Sequence, residues 1–272
     1  MEARLQRRVQ RYGWDKAADH YEGFWQQQLQ PAQNLLLKLA ALQPGERVLD
    51  VACGSGLVTF PAAEAVGPGG HIVATDISQS MVDLAAQIAV ERKIDNVSFE
   101  RMDAEDLRLE ESSFDAALCG LGLMYVPDPR LALQEQLRLL KPGGRALAAV
   151  WGQRDRCGWA EIFPIVDSRV ESEVCPMFFQ LGTKEALAQT FTLAGFADVA
   201  YERLPSVLRY ESAEAALGAA FVGGPVALAY ARFDDKTRDE AHADYLKSIE
   251  PYRDGDGYNV PGEFVVAIGY KR

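Results

Sequence analysis

An α/β fold built on an open sheet is what this sequence predicts, and two observations carry the expectation. Between residues 47 and 150, short apolar runs that end in turns alternate with stretches whose apolar residues recur at helical spacing. The first run, Val48-Leu49-Asp50-Val51, breaks into Ala52-Cys53-Gly54-Ser55-Gly56 before Leu57-Val58-Thr59-Phe60, so a strand feeds a glycine-rich loop and then a helix. Such a loop is a ligand cradle. Gly54 and Gly56 let the backbone pass close to a bound molecule where a Cβ would collide, and the amides opening the next helix can receive a carboxylate or phosphate.

A chain of 272 residues, 48% hydrophobic and 25% charged, has room for one large domain with an appendage. Its net charge of −11 argues against a generic nucleic-acid binder, whose affinity comes from clustered Lys and Arg, and leaves a small basic substrate open. The four cysteines, Cys53, Cys119, Cys157 and Cys175, show neither C-x-x-C spacing nor a disulfide framework. No metal is expected, and reduced thiols in a cytoplasmic protein are the reading. Arg4, Arg7, Arg8 and Arg11 precede no apolar targeting core and no run reaches membrane-spanning length, so the basic stretch reads as a solvated helix face.

Residues 1–43 read as helical, with Trp14, Tyr21, Phe24, Trp25 and the leucines 35–37 and 39 on the apolar faces. After the loop, a helix over Leu57–Val66 tolerates Pro61 only in or near its first turn, and Gly67-Pro68-Gly69-Gly70 stops it. His71–Thr75 is a second strand ending on Asp76, about 20 residues beyond the glycine loop, the spacing at which a carboxylate meets an adenosine ribose. Ile77 then leads into a helix from Ser78 to about residue 93, with Met81, Leu84, Ala85 and Ile88 at helical spacing. Residues 96–101 form a third strand before Asp103-Ala104-Glu105-Asp106, and Phe114–Cys119 a fourth before a loop through Met124 and Tyr125. A helix over residues 130–140, a turn at Lys141-Pro142-Gly143-Gly144 and a fifth strand over 145–150 follow. Beyond it the alternation loosens, and Trp151, Trp159, Phe163, Met177, Phe178 and Phe179 suit either an apolar acceptor pocket or core packing. A helix from Thr183 to Gly195, a strand near 197–203, a helical region over 211–250 broken at Gly223-Gly224-Pro225, and a terminal strand over 262–270 complete the chain.

Charge narrows the ligand. Asp50 would repel a pyrophosphate, and the third glycine of a dinucleotide loop is replaced by Thr59, so NAD is disfavoured. S-adenosylmethionine carries an ammonium, a sulfonium and a carboxylate, which suit an acid at a strand end and amides at a helix start. At these residues the chain resembles the class I S-adenosylmethionine-dependent methyltransferases, strongly over about residues 46–151, in the branch that includes ubiquinone and menaquinone C-methyltransferases and many small-molecule O- and N-methyltransferases. Ala52 departs from the glycine that the family often has there.

The resemblance implies a Rossmann-like, seven-stranded, mostly parallel sheet with its last strand antiparallel and helices on both faces. It also implies an N-terminal helical lid (1–43) and a methyltransferase domain (44–272) with a helical insertion at about 211–255. Carried over residue by residue, cofactor binding falls to Asp50, Ala52, Gly54 and Gly56 in the first loop. Asp76 and Ile77 follow at the second strand, Met81 beside the adenine, Asp103 and Ala104 at its amino group, and Cys119 at the fourth strand tip. Met124, Tyr125, Trp151 and Phe178 are the substrate-binding candidates. Tyr21 and His20 are the catalytic candidates, with His242 behind them and His71 read as structural. Cys119-Gly120-Leu121-Gly122 stands where methylases of adenine N6 or glutamine carry an Asn/Asp-Pro-Pro-aromatic motif, which argues against that chemistry. The expected activity is methyl transfer from S-adenosylmethionine to a small, partly apolar or aromatic metabolite, at oxygen, nitrogen or carbon. A non-catalytic adenosyl-binding module and a tRNA or protein methyltransferase are the alternatives. The expected partner is a small molecule, without nucleic acid or a membrane span, and a homodimer is compatible with the sequence.

Overall fold

The computed structural model describes residues 2–170 and 178–272, so Cys175 and Met177 lie outside the described residues. A helix of 38 residues, α1 (Ala3–Ala40), precedes the sheet. Next come β1 (Arg47–Val51), α2 (Thr59–Val66), β2 (His71–Asp76), α3 (Gln79–Arg92), β3 (Val97–Arg101) and β4 (Phe114–Gly120). Then follow α4 (Pro129–Leu139), β5 (Leu140–Trp151), α5 (Ile162–Asp167), α6 (Ala186–Ala194) and β6 (Ala197–Tyr210). The last section runs through α7 (Ala213–Leu217), α8 (Ala227–Tyr230), α9 (Asp235–Ile249), β7 (Arg253–Asp254) and β8 (Gly257–Tyr270).

The strands lie in the order β3-β2-β1-β4-β5-β8-β6, with the two-residue β7 paired to β8 off that path. The strands from β3 across to β5 are parallel, and β8 runs antiparallel to both β5 and β6. The chain steps outward from β1 to β3 and then returns to β4, so the order reverses between β1 and β4. At such a switch point the loops on either side diverge and leave a crevice beyond the strand ends. The strands flanking it are buried on both faces: Val48, Leu49, Ala116, Ala117 and Leu118 are fully covered, as parallel strands between helix layers require.

Helices α3, α4, α7 and α9 begin after residues whose side chains satisfy free amides. Ser78 caps α3 by accepting from the Met81 N–H at 3.2 Å. Asp128 caps α4 by accepting from Leu131 at 3.0 Å, with Pro129 at its first position. Pro61 is the third residue of α2, within the first turn where its missing N–H is not needed. Pro31 sits inside α1. The helix passes through it because Trp25, Leu29, Ala32, Leu36 and Ala40 are buried in the same core as β1, β4 and β5.

Two elements differ from the sequence reading. The expected turn at 141–144 is part of β5, which pairs Phe114 with Leu140 and then slips register to pair Ala116 with Arg145. Strands β6 and β8 are each 14 residues long and form an antiparallel arm, far beyond the segments expected at 197–203 and 262–270. Outer strand β6 is largely solvated, so no apolar run marks its length. Its edge is met by α1: the Gln28 side chain donates to the Arg209 carbonyl at 2.6 Å and accepts from the Arg209 N–H at 2.9 Å, as a neighbouring strand would.

Candidate functional site

A cavity of about 1030 Å³, its open mouth included, lies over the carboxyl ends of β1, β2, β4 and β5 and under the first half of α1. That is the size of a ligand site. Its floor comes from Ala52 and Gly54 after β1, Asp76 at the end of β2 and Gly120–Gly122 after β4. Its roof is a stripe along α1 at helical spacing, Arg7, Gln10, Trp14, Tyr21, Trp25 and Leu29.

One end of the cavity is acidic. Asp76 is 7% exposed, and its two oxygens accept from the Gly54 and Ser78 amides, each at 2.9 Å. Burial nevertheless holds its carboxyl above the ordinary range, with Asp15 nearby adding to the effect. Asp50 is fully buried at the end of β1 and accepts from the Thr59 hydroxyl at 2.6 Å through one oxygen, while the other, Oδ1, has no partner among the described residues. Burial pushes its pKa up to about 7, the Thr59 bond opposes that, and Asp76 adds to it. Asp103 pairs with Arg7 at 2.8 Å, and Arg7 also pairs with Glu105. Carboxylates held at this density against one guanidinium repel a phosphorylated nucleotide and are stabilised by a cationic one.

The loop that carries these acids is tight. Ala52 has a φ of 56° and Leu121 a φ of 67°, left-handed conformations that cost an L-residue about 1–2 kcal/mol and concentrate at functional sites. A Cβ on Gly122 would lie 2.3 Å from the Ala52 methyl. The alanine where the family often has glycine is therefore accommodated by a glycine on the opposite loop.

The other end is aromatic. Trp14 and Tyr125 meet edge to face at 5.1 Å, and Tyr125 and Phe178 at 5.4 Å. Trp151 and Trp159 lie 4.8 Å apart and Trp25 sits 6.2 Å from Trp151. Gly224 and Pro225, from the segment between β6 and β8, close this end. Core packing and cavity wall are the same residues here, since Trp159 and Phe178 line the cavity with one side and pack on Phe163 and Phe179 with the other. Among the described lining residues only Arg7, Asp76 and Asp103 are charged, and none is histidine.

Of the residues singled out in the sequence, Tyr21, Ala52, Gly54, Asp76, Ile77 and Met81 line this cavity. So do Asp103, Ala104, Met124, Tyr125, Trp151 and Phe178. Four others do not. Asp50 and Cys119 lie behind the wall, 0% and 1% exposed, and Gly56 (φ 95°) turns against the Phe60 ring, which a Cβ would approach to 2.5 Å. His20 is exposed on α1, about 100° round the helix from Tyr21, and that direction leads to solvent. Tyr21 lines the cavity, but burial and the Asp76 and Glu22 charges hold its phenol far above the usual range, so it stays protonated and cannot take up a proton near neutral pH. His242 hydrogen-bonds Tyr230 at 2.9 Å and does not line the cavity. Arg7, Gln10, Trp25 and Gly224 were not identified from sequence as lining residues, whereas Trp159 was named there for an acceptor pocket or core packing. The signal for the first three was the helical stripe through Trp14 and Tyr21.

Among the described residues no group of three or more His, Cys, Asp or Glu side chains could hold a metal, and no helix is long and apolar enough to cross a membrane. Residues 42–164 match the family model described as a methyltransferase domain. A demethylmenaquinone methyltransferase of Listeria monocytogenes is 33% identical over 180 residues, 61% of this chain and 76% of that protein. The nocamycin O-methyltransferase of Saccharothrix syringae is 33% identical over 219 residues, 75% of this chain and 78% of that protein. Among solved structures, a Haemonchus contortus phosphoethanolamine N-methyltransferase in complex with S-adenosyl-L-methionine shares the fold. Its TM-score is 0.61 and its identity 19%, over 95% of this chain and 57% of that one. A sheet with its crevice at the β1/β4 reversal, an acid-lined glycine loop at that crevice and these relatives together establish that the chain belongs to the class I S-adenosylmethionine-dependent methyltransferases, enzymes whose methyl donor is S-adenosylmethionine.

Proposed function

We propose that this chain transfers a methyl group from S-adenosylmethionine to a small, partly apolar aromatic metabolite by in-line displacement. The observation that carries the reading is the polarity of the cavity, acidic at the loop after β1 and aromatic at the end of β5. In this reading Asp76 receives ribose hydroxyls, each bond to a charged carboxylate contributing about 1.5–3 kcal/mol. Met81, Ile77 and Ala104 flank the adenine, and Asp103 accepts from its amino group. Ala52 and Gly54 bring backbone close to the amino-acid moiety. Asp50 acts from behind the wall through its field and its unpartnered oxygen, and Gly56 and Cys119 shape the loops. The bound cofactor supplies a methyl already activated on a sulfonium.

The protein's own contribution is placement. Trp14, Tyr125 and Phe178 hold a planar acceptor edge to face, and Met124 and Trp151 bound its far side. Ordering two reactants in line can lower a barrier by up to about 7–11 kcal/mol. The roof of α1 shuts out water, its first half fixed by Asp15, which accepts from the Ser78 hydroxyl at 2.6 Å and the Ser80 amide at 3.3 Å. We assign this half of α1 the role of a lid. Among the described lining residues, none at the aromatic end is a carboxylate or a histidine.

The test is calorimetry with S-adenosylhomocysteine followed by tritiated methyl transfer into a metabolite extract. Micromolar binding, at least tenfold weaker in Asp76→Ala, with label appearing in organic-soluble small molecules is the expected result. Binding without any labelled product would make the chain an adenosyl sensor instead.

A further inference from the structure

Glu105 is a buried carboxylate to which the cavity gives no direct task. Its side chain is 2% exposed and, unlike Asp103 two residues earlier, it is not among the described lining residues. A charge taken out of water persists only where it is both paired and hydrogen-bonded, and Glu105 has a partner of each kind. One oxygen meets the Arg7 guanidinium of α1, and the other accepts from the Asp128 amide at 2.5 Å. Asp128 in turn caps α4 by accepting from Leu131 at 3.0 Å. Arg7 and Glu105 are 98 positions apart in the chain, so their pairing exists only while the first half of α1 lies over the cavity.

Arg7 has a second acid on its other side. Its Nε lies 2.8 Å from Asp103, whose remaining oxygen accepts from the Glu105 amide at 3.0 Å. One guanidinium therefore joins an acid at the donor end of the cavity to an acid outside it that grips the segment after β4. Met124, Tyr125, Val126 and Pro127 of that segment line the cavity. Its internal backbone bonds are those of one short turn, Tyr125 to Gly122 at 3.0 Å and Val126 to Leu123 at 3.3 Å. The same turn of α1 also holds it directly, since Gln6 donates to the Tyr125 carbonyl at 3.2 Å. A ligand enclosed between the α1 roof and the loops beneath touches both, so it binds the closed arrangement better than an open one and shifts the population toward it.

We propose that Arg7 and Glu105 are positioning residues that couple the two ends of the cavity. Filling the donor end closes the first half of α1 and seats Arg7 between Asp103 and Glu105. Through Glu105 and the Asp128 amide, that closure sets the wall at residues 124–127 against which the acceptor lies. This rests on the methyltransferase reading of the cavity and adds to it a physical link between donor occupancy and the acceptor wall. Linkage makes the coupling reciprocal, so a molecule held against that wall tightens the grip on the donor.

The experiment is hydrogen exchange read by mass spectrometry on the full chain, with and without saturating S-adenosylhomocysteine. Residues 123–131 report the wall and residues 48–56 the donor loop. In the unsubstituted protein the ligand should slow exchange about fivefold or more in both regions. Glu105→Gln keeps an oxygen for the Asp128 amide but removes the charge that Arg7 meets, while Asp103 still holds Arg7 at the donor end. In that variant the slowing should persist over 48–56 and fall below about twofold over 123–131. Arg7→Lys, at a partly exposed helix position, should do the same, because one ammonium cannot span both acids as the guanidinium fork does. A Glu105 with a purely structural role would speed exchange over 123–131 equally with and without ligand. The ratio would then match that of the unsubstituted protein, and the proposal would be overturned. Slowing confined to 48–56 in the unsubstituted protein would overturn the coupling and leave the donor reading standing. Failure of S-adenosylhomocysteine to bind at all would overturn the donor reading itself.

Discussion

Asp50 should couple ligand affinity to pH. Its carboxyl is raised from 3.8 to about 7 in the free protein, so ionisation is unfavourable in the folded state and easy in the unfolded one. The sign follows: this group's ionisation burdens the fold above pH 7, and the burden lifts as pH falls from 7 toward 4. A cationic ligand reverses the preference by favouring the carboxylate. S-adenosylmethionine should therefore bind with proton release, its Kd rising by up to tenfold per pH unit below about 7, measured by calorimetry in buffers of different ionisation enthalpy. Asp50→Asn should flatten that dependence, weaken binding at pH 8 and raise the Tm of the free protein at pH 8 by several degrees. The loop pair Ala52 and Gly122 gives a second test at this scale. Gly122→Ala should cost about 1–3 kcal/mol by overpacking against the Ala52 methyl. Ala52→Gly should recover most of that in the double variant, since it removes both the clash and the left-handed strain. A denaturant-unfolding cycle measures the coupling, and strict additivity would refute it.

Helix α1 serves two purposes along its length. From Trp25 to Ala40 it is mostly core, with Leu36 and Ala40 fully buried against the sheet, although Trp25 and Leu29 also line the cavity. From Arg7 to Tyr21 it roofs the cavity through polar contacts, Asp15 to the start of α3, Arg7 to Asp103 and Gln6 to the Tyr125 carbonyl at 3.2 Å. Contacts of that kind open at low cost compared with a packed core. Asp15→Ala should accelerate hydrogen exchange over residues 3–21 and raise the S-adenosylhomocysteine off-rate about tenfold, one charge-assisted bond being worth about 1.5–3 kcal/mol. Exchange over residues 25–40 should stay unchanged. Uniform acceleration along the whole helix would mean that α1 has no such division.

Across the molecule, the core reaches from α1 through the sheet to α9, taking in Trp25, Phe114, Phe264 and Tyr245 together. Because this cluster spans the molecule, beside a smaller one of Phe60, Ile88 and Ala89, urea unfolding followed by tryptophan fluorescence and by far-ultraviolet dichroism should give coincident midpoints. A separate early loss of helical signal would show that the region between β6 and β8 unfolds alone. The cavity sits where three parts of this body meet: the strand ends, the first half of α1 and the turn at Gly223–Pro225.

The parallel half of the fold was legible in the residues because β1, β2, β4 and the end of β5 are buried and read as short apolar runs, while edge strand β3 is partly exposed. The glycine loop and the acids at Asp50 and Asp76 were legible because their chemistry depends on neighbours in sequence. The antiparallel arm was not, since β6 is largely solvated and its length is set by pairing with β8 rather than by any pattern of its own. The acceptor wall was legible only in part. Trp151 and Phe178 stood out as aromatics, but the meeting of Trp25 with Trp159 joins residues 134 positions apart whose encounter depends on where α1 lies across the sheet. Local sequence therefore determined the methyl-donor end of the site, whose groups follow one another along the chain. Tertiary packing alone decided which aromatic rings line the far end of the cavity and that His20, one residue from Tyr21, points away, because helix orientation and the closure of distant segments are properties of the whole core.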